Sequence, residues 1–237
     1  MSITTLMIID SQQYFIAEIR KILSQASELD EIEIFACDPG PDGNEAIAKI
    51  EEKCPDIVLL DIEYPFLNGL EIGKKIACRY PGTPVVMLSV NPGEDYDELF
   101  EAIKSGAAAY LKSMTCSPSE LANTIKRVSN GEYAINDTVS NQPKVALRIL
   151  RHFQEMTTLD RRIEQITTPL TYKEEQILRL IAQGNPNKSI CKKTGISEQT
   201  LKNHISGILR KLNANVRARD VFTTISDSLI PSHSGRD

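Results

Sequence analysis

Five short apolar runs in the first half of the chain, each followed by a stretch of helical periodicity, limit what this sequence can fold into more than any other feature. The runs lie at 6–9, 32–35, 57–60, 85–88 and 108–111. Between them apolar residues recur three and four apart, as at Ile16, Ile19, Ile22 and Leu23. Continuous apolar runs suit strands buried on both faces, and strand–helix alternation closes as a parallel sheet with helices on either side. The expectation is a doubly wound parallel sheet of five strands. In such sheets chemistry collects at the C-terminal ends of the strands. The residues standing there are Asp10, Asp61, Ser89, Tyr110 and Lys112.

A second pattern occupies 170–221. Ile177, Leu178 and Ile181 give a first helix its apolar stripe, and Gly184 supplies a left-handed residue to end it. A short helix follows from about Asn187 to Thr194, Gly195 makes a tight turn, and Ser197 is placed to cap a third helix. In that helix Leu201, Ile205, Ile208 and Leu212 form the buried stripe, which leaves Lys202, Asn203, Ser206 and Arg210 on the other side. This is a helix-turn-helix whose polar face can enter a major groove. Lys202 and Asn203 are best placed for base edges, since lysine pairs with guanine and asparagine with adenine. Ser206 and Arg210 reach the backbone or adjacent bases, while Asn187, Lys188 and Thr200 are placed for phosphates. A final helix is expected from Val216 to about Ser228, which makes this part an all-α domain of four helices.

Charge divides the chain in the same place. Residues 1–130 hold 21 acidic side chains against 11 basic (−10), residues 131–168 hold 5 and 5, and residues 169–237 hold 6 and 11 (+5). Only the C-terminal part therefore has the charge to meet nucleic acid. The expected organisation is a sheet domain at 1–130, a helical linker at 131–168, a DNA-binding domain at 169–230 and a disordered tail at 231–237. The linker carries a ladder at Ile149, Phe153, Met156, Leu159 or Asp160, Ile163 and Ile166 that approximates a heptad seam. It either pairs with a second copy as a short coiled coil or packs on its own sheet domain. Self-association is favoured because a two-fold DNA site needs a dimer. The last helix is the other dimer candidate.

Other classes are excluded by what is missing from the pattern. Five scattered cysteines without a C-x-x-C pair read as reduced structural thiols. No stretch reads as a signal peptide or an apolar span, so a soluble cytoplasmic protein is expected. The sheet domain has neither a nucleophile elbow nor a dinucleotide glycine fingerprint, and His152, His204 and His233 all lie outside it, so no enzyme is expected. His204 flanks the core stripe of the third helix, where packing or a phosphate contact suits it better than a metal. The run from Asp38 to Gly43 is a turn-rich connection, because its prolines remove the amides that a phosphate-cradling loop needs.

The run PDIVLLDIEYPFLNGLEI, with Asp61, Pro65 and Gly69 in register, resembles the phosphoacceptor motif of receiver domains, and GAAAYLK resembles their fifth strand. The C-terminal segment resembles the LuxR-type helix-turn-helix. Together they resemble a NarL/FixJ-type two-component response regulator over nearly the whole chain, with a flavodoxin-like receiver. The resemblance implies a transcriptional regulator switched by phosphorylation of Asp61, with double-stranded DNA, a sensor histidine kinase and RNA polymerase as partners. It implies Mg2+ held by Asp10, Asp61 and the backbone carbonyl of Glu63. Ser89 would donate to the phosphoryl group, Lys112 would pair with its charge, and Tyr110 would swing inward after Ser89.

Two residues depart from that pattern. Ser11 stands where receivers place a second acid, which weakens the expected cation site. Lys112 is two residues beyond Tyr110, while the family lysine is three beyond, where Ser113 stands. Strand side chains alternate, so the ammonium points the wrong way unless a bulge corrects it. The alternative reading is a phosphorylation-independent regulator whose receiver serves dimerisation or partner binding. Simpler roles stay open: Asp10 as a cap for the first helix, Asp61 as a strand-end turn residue, and Ser89 and Tyr110 as core-edge residues.

Overall fold

The computed structural model describes residues 4–26, 32–63, 68–91, 93, 95–159 and 167–229. Pro65, Asp160, Ile163, Ile166, His233 and the 231–237 tail lie outside the described residues, as does the side chain of Leu159. The chain divides into two compact units, residues 1–139 and 140–237.

The first unit is the expected parallel sheet. Its strands are β1 (Thr4–Ile9), β2 (Ile32–Cys37), β3 (Ile57–Asp61), β4 (Val85–Ser89) and β5 (Ala109–Lys112), in the order β2-β1-β3-β4-β5. Alternation sends Leu6, Ile8, Ile57, Leu59, Val86, Leu88 and Leu111 to one face. There they pack on α1 (Gln13–Gln25) through Ile16, Ile19 and Leu23, and on α5 (Pro118–Ser129) through Leu121, Ile125 and Val128. The opposite face carries Met7, Ile9, Leu60 and Met87 beneath α2 (Asn44–Lys53), α3 (Gly69–Arg79) and α4 (Tyr96–Lys104). A short α6 (Ile135–Ser140) follows α5. Arg127 forks between Glu132 at 2.9 Å and Asp137 at 2.6 Å and ties the end of α5 to α6.

The second unit holds α7 (Pro143–Leu159), α8 (Tyr172–Ala182), α9 (Asn187–Thr194) and α10 (Glu198–Leu229). The described part of the linker ladder lies where neither expectation put it. α7 packs on α8, and Ile149, Phe153 and Met156 are buried within a single chain. These three positions are covered within the chain, and the 131–168 segment is divided between the units, residues 131–139 falling in the first and α7 in the second.

α8 opens on a capping box, in which Thr171 and Glu174 satisfy each other's backbone amides. The Glu174 carboxylate also meets Lys211 of α10 at 2.6 Å, holding the first and third helices of the motif together. Gly184 (φ 76°) and Gly195 (φ 68°) adopt the left-handed backbone that the two turns require. The final helix expected from Val216 is the distal half of α10, with no break after Leu212. The intervening Asn213, Ala214 and Asn215 include no glycine or proline to stop it. Asn215 is buried, and its side chain is committed to Thr168: Oδ1 accepts from the backbone N at 2.7 Å, and Nδ2 donates to the carbonyl at 3.0 Å. That amide ties the chain entering α8 to the middle of α10.

Candidate functional site

The C-terminal edge of the sheet brings two carboxylates together. β1 and β3 are neighbours with Ile9 opposite Leu60, so Asp10 and Asp61 follow side by side. Both are withdrawn from solvent, Asp10 to 1% exposure and Asp61 to 4%. Asp10 Oδ1 accepts from the Gln12 amide at 2.6 Å in a side-chain turn ahead of α1, whose N-cap is Gln12 and which no side chain caps. Its Oδ2 is buried with no hydrogen-bond partner. Asp61 Oδ1 accepts from the Glu63 amide at 3.1 Å, and Glu63 is pinned by a single antiparallel bridge to Asn68.

Burial first, and then the neighbouring charges of Asp10 and Glu63, push the Asp61 carboxyl up to about 6. Asp10 is raised by burial and by the charge of Asp38. Two adjacent buried carboxylates, one oxygen lacking any donor, are a hard-oxygen arrangement suited to a small divalent cation. Asp10 and Asp61 are two of the three residues expected to hold Mg2+, and Glu63, the third, adjoins them through its amide. Among the described residues no group of three acidic, histidine or cysteine side chains is placed to hold a metal.

Gly69 has a specific reason to stand eight residues beyond Asp61. A Cβ there would lie 2.6 Å from the Asp61 carbonyl oxygen and 2.5 Å from Ile62 Cα, so only glycine lets α3 approach the end of β3 this closely. Asn68 caps that helix by accepting from the Leu70 amide at 3.0 Å.

Ser89 and Tyr110 form a second pair. Ser89 is fully buried and accepts from the Asn91 amide at 3.2 Å, at the end of the strand that pairs with the one carrying Tyr110. Tyr110 is already buried, and its hydroxyl donates to Glu98 of α4 at 2.6 Å. Desolvation, followed by that carboxylate, raises the Tyr110 pKa.

Lys112 does not join the carboxylates. The β4–β5 pairing runs unbroken from Met87 opposite Tyr110 to Ser89 opposite Lys112, so no bulge resets the alternation. The side chain stays on the side of Tyr110, and its ammonium donates to the Gly93 carbonyl in the β4–α4 connection. The expected role of Lys112 beside the Asp61 charge is therefore corrected. Glu98, Gly93 and Asp38 were not expected at this edge, and no local pattern announces them, because each is brought in by tertiary packing.

The 38–43 connection is made of side-chain turns. Asp38 Oδ1 takes the Gly40 amide at 2.8 Å and Asp42 Oδ1 the Asn44 amide at 3.0 Å.

In the second unit Leu201, Ile205, Ile208 and Leu212 are buried, whereas Lys202, Asn203 and Arg210 are exposed on the other side of α10. Ser206, His204 and Thr200 are half-buried. Ser197 caps this helix by accepting from the Thr200 amide at 3.0 Å, and its hydroxyl meets that of Thr200 at 2.8 Å. Gln199 donates to Asn203 Oδ1 at 3.2 Å. Lys188 is exposed at the start of α9. Asn187 is turned the other way: Nδ2 donates to Ser140 at 3.4 Å and Oδ1 is buried without a partner, so this side chain does not present itself to a phosphate.

All five cysteines are free thiols, and among the described residues no helix is long and apolar enough to cross a membrane.

The family model described as response regulator receiver domain matches residues 6–126, and that described as bacterial regulatory proteins, luxR family, matches residues 168–221. The transcriptional regulatory protein DegU of Brevibacillus brevis is 30% identical, over 95% of this chain and 94% of its own length. The uncharacterized transcriptional regulatory protein YxjL of Bacillus subtilis is 33% identical, over 80% of this chain and 82% of its own. The nitrate/nitrite response regulator protein NarL of Escherichia coli K12 is 29% identical, over 90% and 91%.

Proposed function

Because this chain belongs to the response-regulator family, with a receiver domain and a LuxR-family DNA-binding domain, we propose that phosphorylation of Asp61 sets how it engages DNA. It is a DNA-binding transcriptional regulator of a two-component system. The observation that carries the proposal is the buried Asp10–Asp61 pair with its unpartnered Asp10 oxygen.

An Asp61 carboxylate oxygen attacks the phosphorus of a phosphohistidine on a sensor kinase. The oxygen–phosphorus bond forms as the nitrogen–phosphorus bond breaks, and the imidazole leaves. Attack needs the ionised carboxylate, and a pKa of about 6 leaves Asp61 ionised by roughly ten to one at pH 7. Asp10, Asp61 and the Glu63 carbonyl would hold Mg2+, which when bound supplies positive charge against the phosphoryl oxygens. The Ser89 hydroxyl donates to the phosphoryl group, and Tyr110 on the adjacent strand, held to Glu98 of α4, is the residue that answers that change. The protein binds as a homodimer in the cytoplasm, with RNA polymerase a further partner and no substrate turnover of its own. Lys202, Asn203, Ser206 and Arg210 face the major groove, and Lys188 and Thr200 meet phosphates.

Intact-mass measurement after incubation with acetyl phosphate and Mg2+ tests this directly. The expected result is one added phosphoryl group on the wild type, none on Asp61→Ala, and a change in DNA affinity only for the wild type. Ser11 and the commitment of Lys112 to Gly93 favour a second reading, regulation without phosphorylation. No Asp61-dependent label together with unchanged sequence-specific DNA binding would select it.

A further inference from the structure

We propose that Lys112 is a positioning residue for the Ser89 hydroxyl: its ammonium holds the β4–α4 connection, and Gly93 and Asn91 pass that restraint back to Ser89. This rests on the reading of Ser89 as a donor to the phosphoryl group, and it gives Lys112 a part in the transfer without contact with that group.

Hydrogen bonds join these residues in one chain. Ser89 Oγ accepts from the Asn91 amide at 3.2 Å, Asn91 Oδ1 accepts from the Gly93 amide at 3.0 Å, and the Gly93 carbonyl accepts from the Lys112 ammonium. Lys112 also starts beside Ser89: the two are opposite in the β4–β5 pairing, where the Ser113 amide donates to the Ser89 carbonyl at 2.8 Å. The lysine therefore leaves the sheet next to the serine and rejoins the chain at Gly93, which closes a ring around Asn91. The two links from Ser89 to Gly93 are side-chain turns, and each contributes modestly by itself. The ammonium adds a charge-assisted bond that starts from the sheet and anchors the far end of the run. The run has little slack, since a Cβ at Gly93 would already lie 3.3 Å from Asn91 Oδ1.

A serine hydroxyl has one proton and two lone pairs, and its rotor turns to suit its partners. With the Asn91 N–H on one lone pair, the Ser89 proton points away from that amide, where an incoming oxygen can accept it. Once the Lys112 bond is lost, the connection moves and carries the Asn91 amide with it. The hydroxyl is then free to turn. A lysine two residues beyond Tyr110 thus serves the transfer through Ser89 although alternation keeps it from facing Asp61.

The test follows Asp61 phosphorylation by acetyl phosphate and Mg2+, and amide hydrogen exchange, in the full-length protein. Lys112→Met keeps the stem and removes the donors, whereas Asn91→Ala breaks the chain in its middle and leaves Lys112 intact. Both are expected to lower the maximal rate roughly 3- to 10-fold while the half-saturating acetyl phosphate concentration stays within about twofold, because position is lost and affinity is not. Lys112→Arg keeps a donor and is expected to restore most of the rate. In a Ser89→Ala background, Lys112→Met is expected to cost nothing further. In the unphosphorylated protein, Lys112→Met should quicken exchange of the Asn91 amide by at least about threefold and leave β4 unchanged. A loss that persists in full in the Ser89→Ala background would assign the ammonium to the phosphoryl group itself and overturn the proposal. Wild-type rates or wild-type Asn91 exchange in Lys112→Met would overturn it as well. If the wild type takes no phosphoryl group on Asp61, the reading of Ser89 falls and the role of Lys112 with it.

Discussion

The Tyr110 hydroxyl donates to the Glu98 carboxylate at 2.6 Å and joins the middle of β5 to the first turn of α4. Hydrogen bonds to charged groups contribute about 1.5–3 kcal/mol. Tyr110→Phe is therefore expected to lower the stability of the first unit by about 1–3 kcal/mol in denaturant unfolding at pH 7. Glu98→Gln keeps a neutral acceptor and should lose less. The Tyr110 pKa is raised in the folded state, so its stabilising contribution is complete below the unfolded value and falls as pH rises above it. The wild type should lose stability above about pH 10 in a way the Tyr110→Phe variant does not.

Asp61 gives the opposite end of the pH scale its own signature. Its carboxyl is raised from 3.8 to about 6, so the folded state holds the proton more tightly than the unfolded chain. Its contribution is complete below about pH 4 and is lost as pH rises through 6. Without divalent cations the loss amounts to at most about 3 kcal/mol. Asp61→Asn should match the wild type at pH 4 and exceed it in stability at pH 7, as read from urea midpoints in EDTA. A wild type that gains stability between pH 4 and 7 relative to the variant would contradict the buried acidic pair.

Gly69→Ala should be damaging although alanine favours helices. The added methyl meets backbone rather than a movable side chain at 2.5–2.6 Å, so α3 or the end of β3 must shift. A loss of about 1–3 kcal/mol is expected, as for other overpacked sites, with slower Asp61 phosphorylation measured on the folded fraction.

Asn215→Ala removes both bonds to the Thr168 backbone from a buried position, at a cost of about 1–3 kcal/mol to the second unit. Asn213, two residues earlier and only half-buried, should tolerate alanine far better. Thermal unfolding of the two variants compares them.

On DNA, Lys202→Ala should cost about 1–3 kcal/mol on a specific site and little on random sequence, if its ammonium reads a base edge. Lys188→Ala should weaken both alike and lower the salt slope by about one. Equal losses for both variants on both DNAs would remove the division of labour between α9 and α10.

Much of this was legible from local pattern. The five strands announced themselves because a strand covered on both faces has to be apolar along its length, and the two glycines of the helix-turn-helix did so because their backbone is left-handed. The position of Lys112 was also readable: alternation forbade the ammonium from facing Asp61, and the unbroken pairing with β4 keeps it away. The destination of α7 was not readable, since a ladder at Ile149, Phe153 and Met156 fits a second copy, a sheet or α8 equally well. Asn215 was hidden for a related reason. An asparagine between Ala214 and Val216 looks like a helix stop until its partner, 47 residues upstream, is known. Asn187 was misjudged because the start of a helix draws anions through its backbone, whatever direction the side chain takes.

The unbroken α10 makes recognition and the C-terminal end share one helical phase. At about 1.5 Å per residue its 32 residues form a rod about 48 Å long. Two helices with a joint between them could absorb an insertion by bending. A rod cannot: one residue inserted after Leu212 turns everything beyond it by about 100° around the axis relative to Lys202 and Asn203, and seven residues nearly restore the alignment. Spacing along α10 is therefore also angle, so whatever the distal end grips fixes the direction from which the base-facing side chains meet the groove.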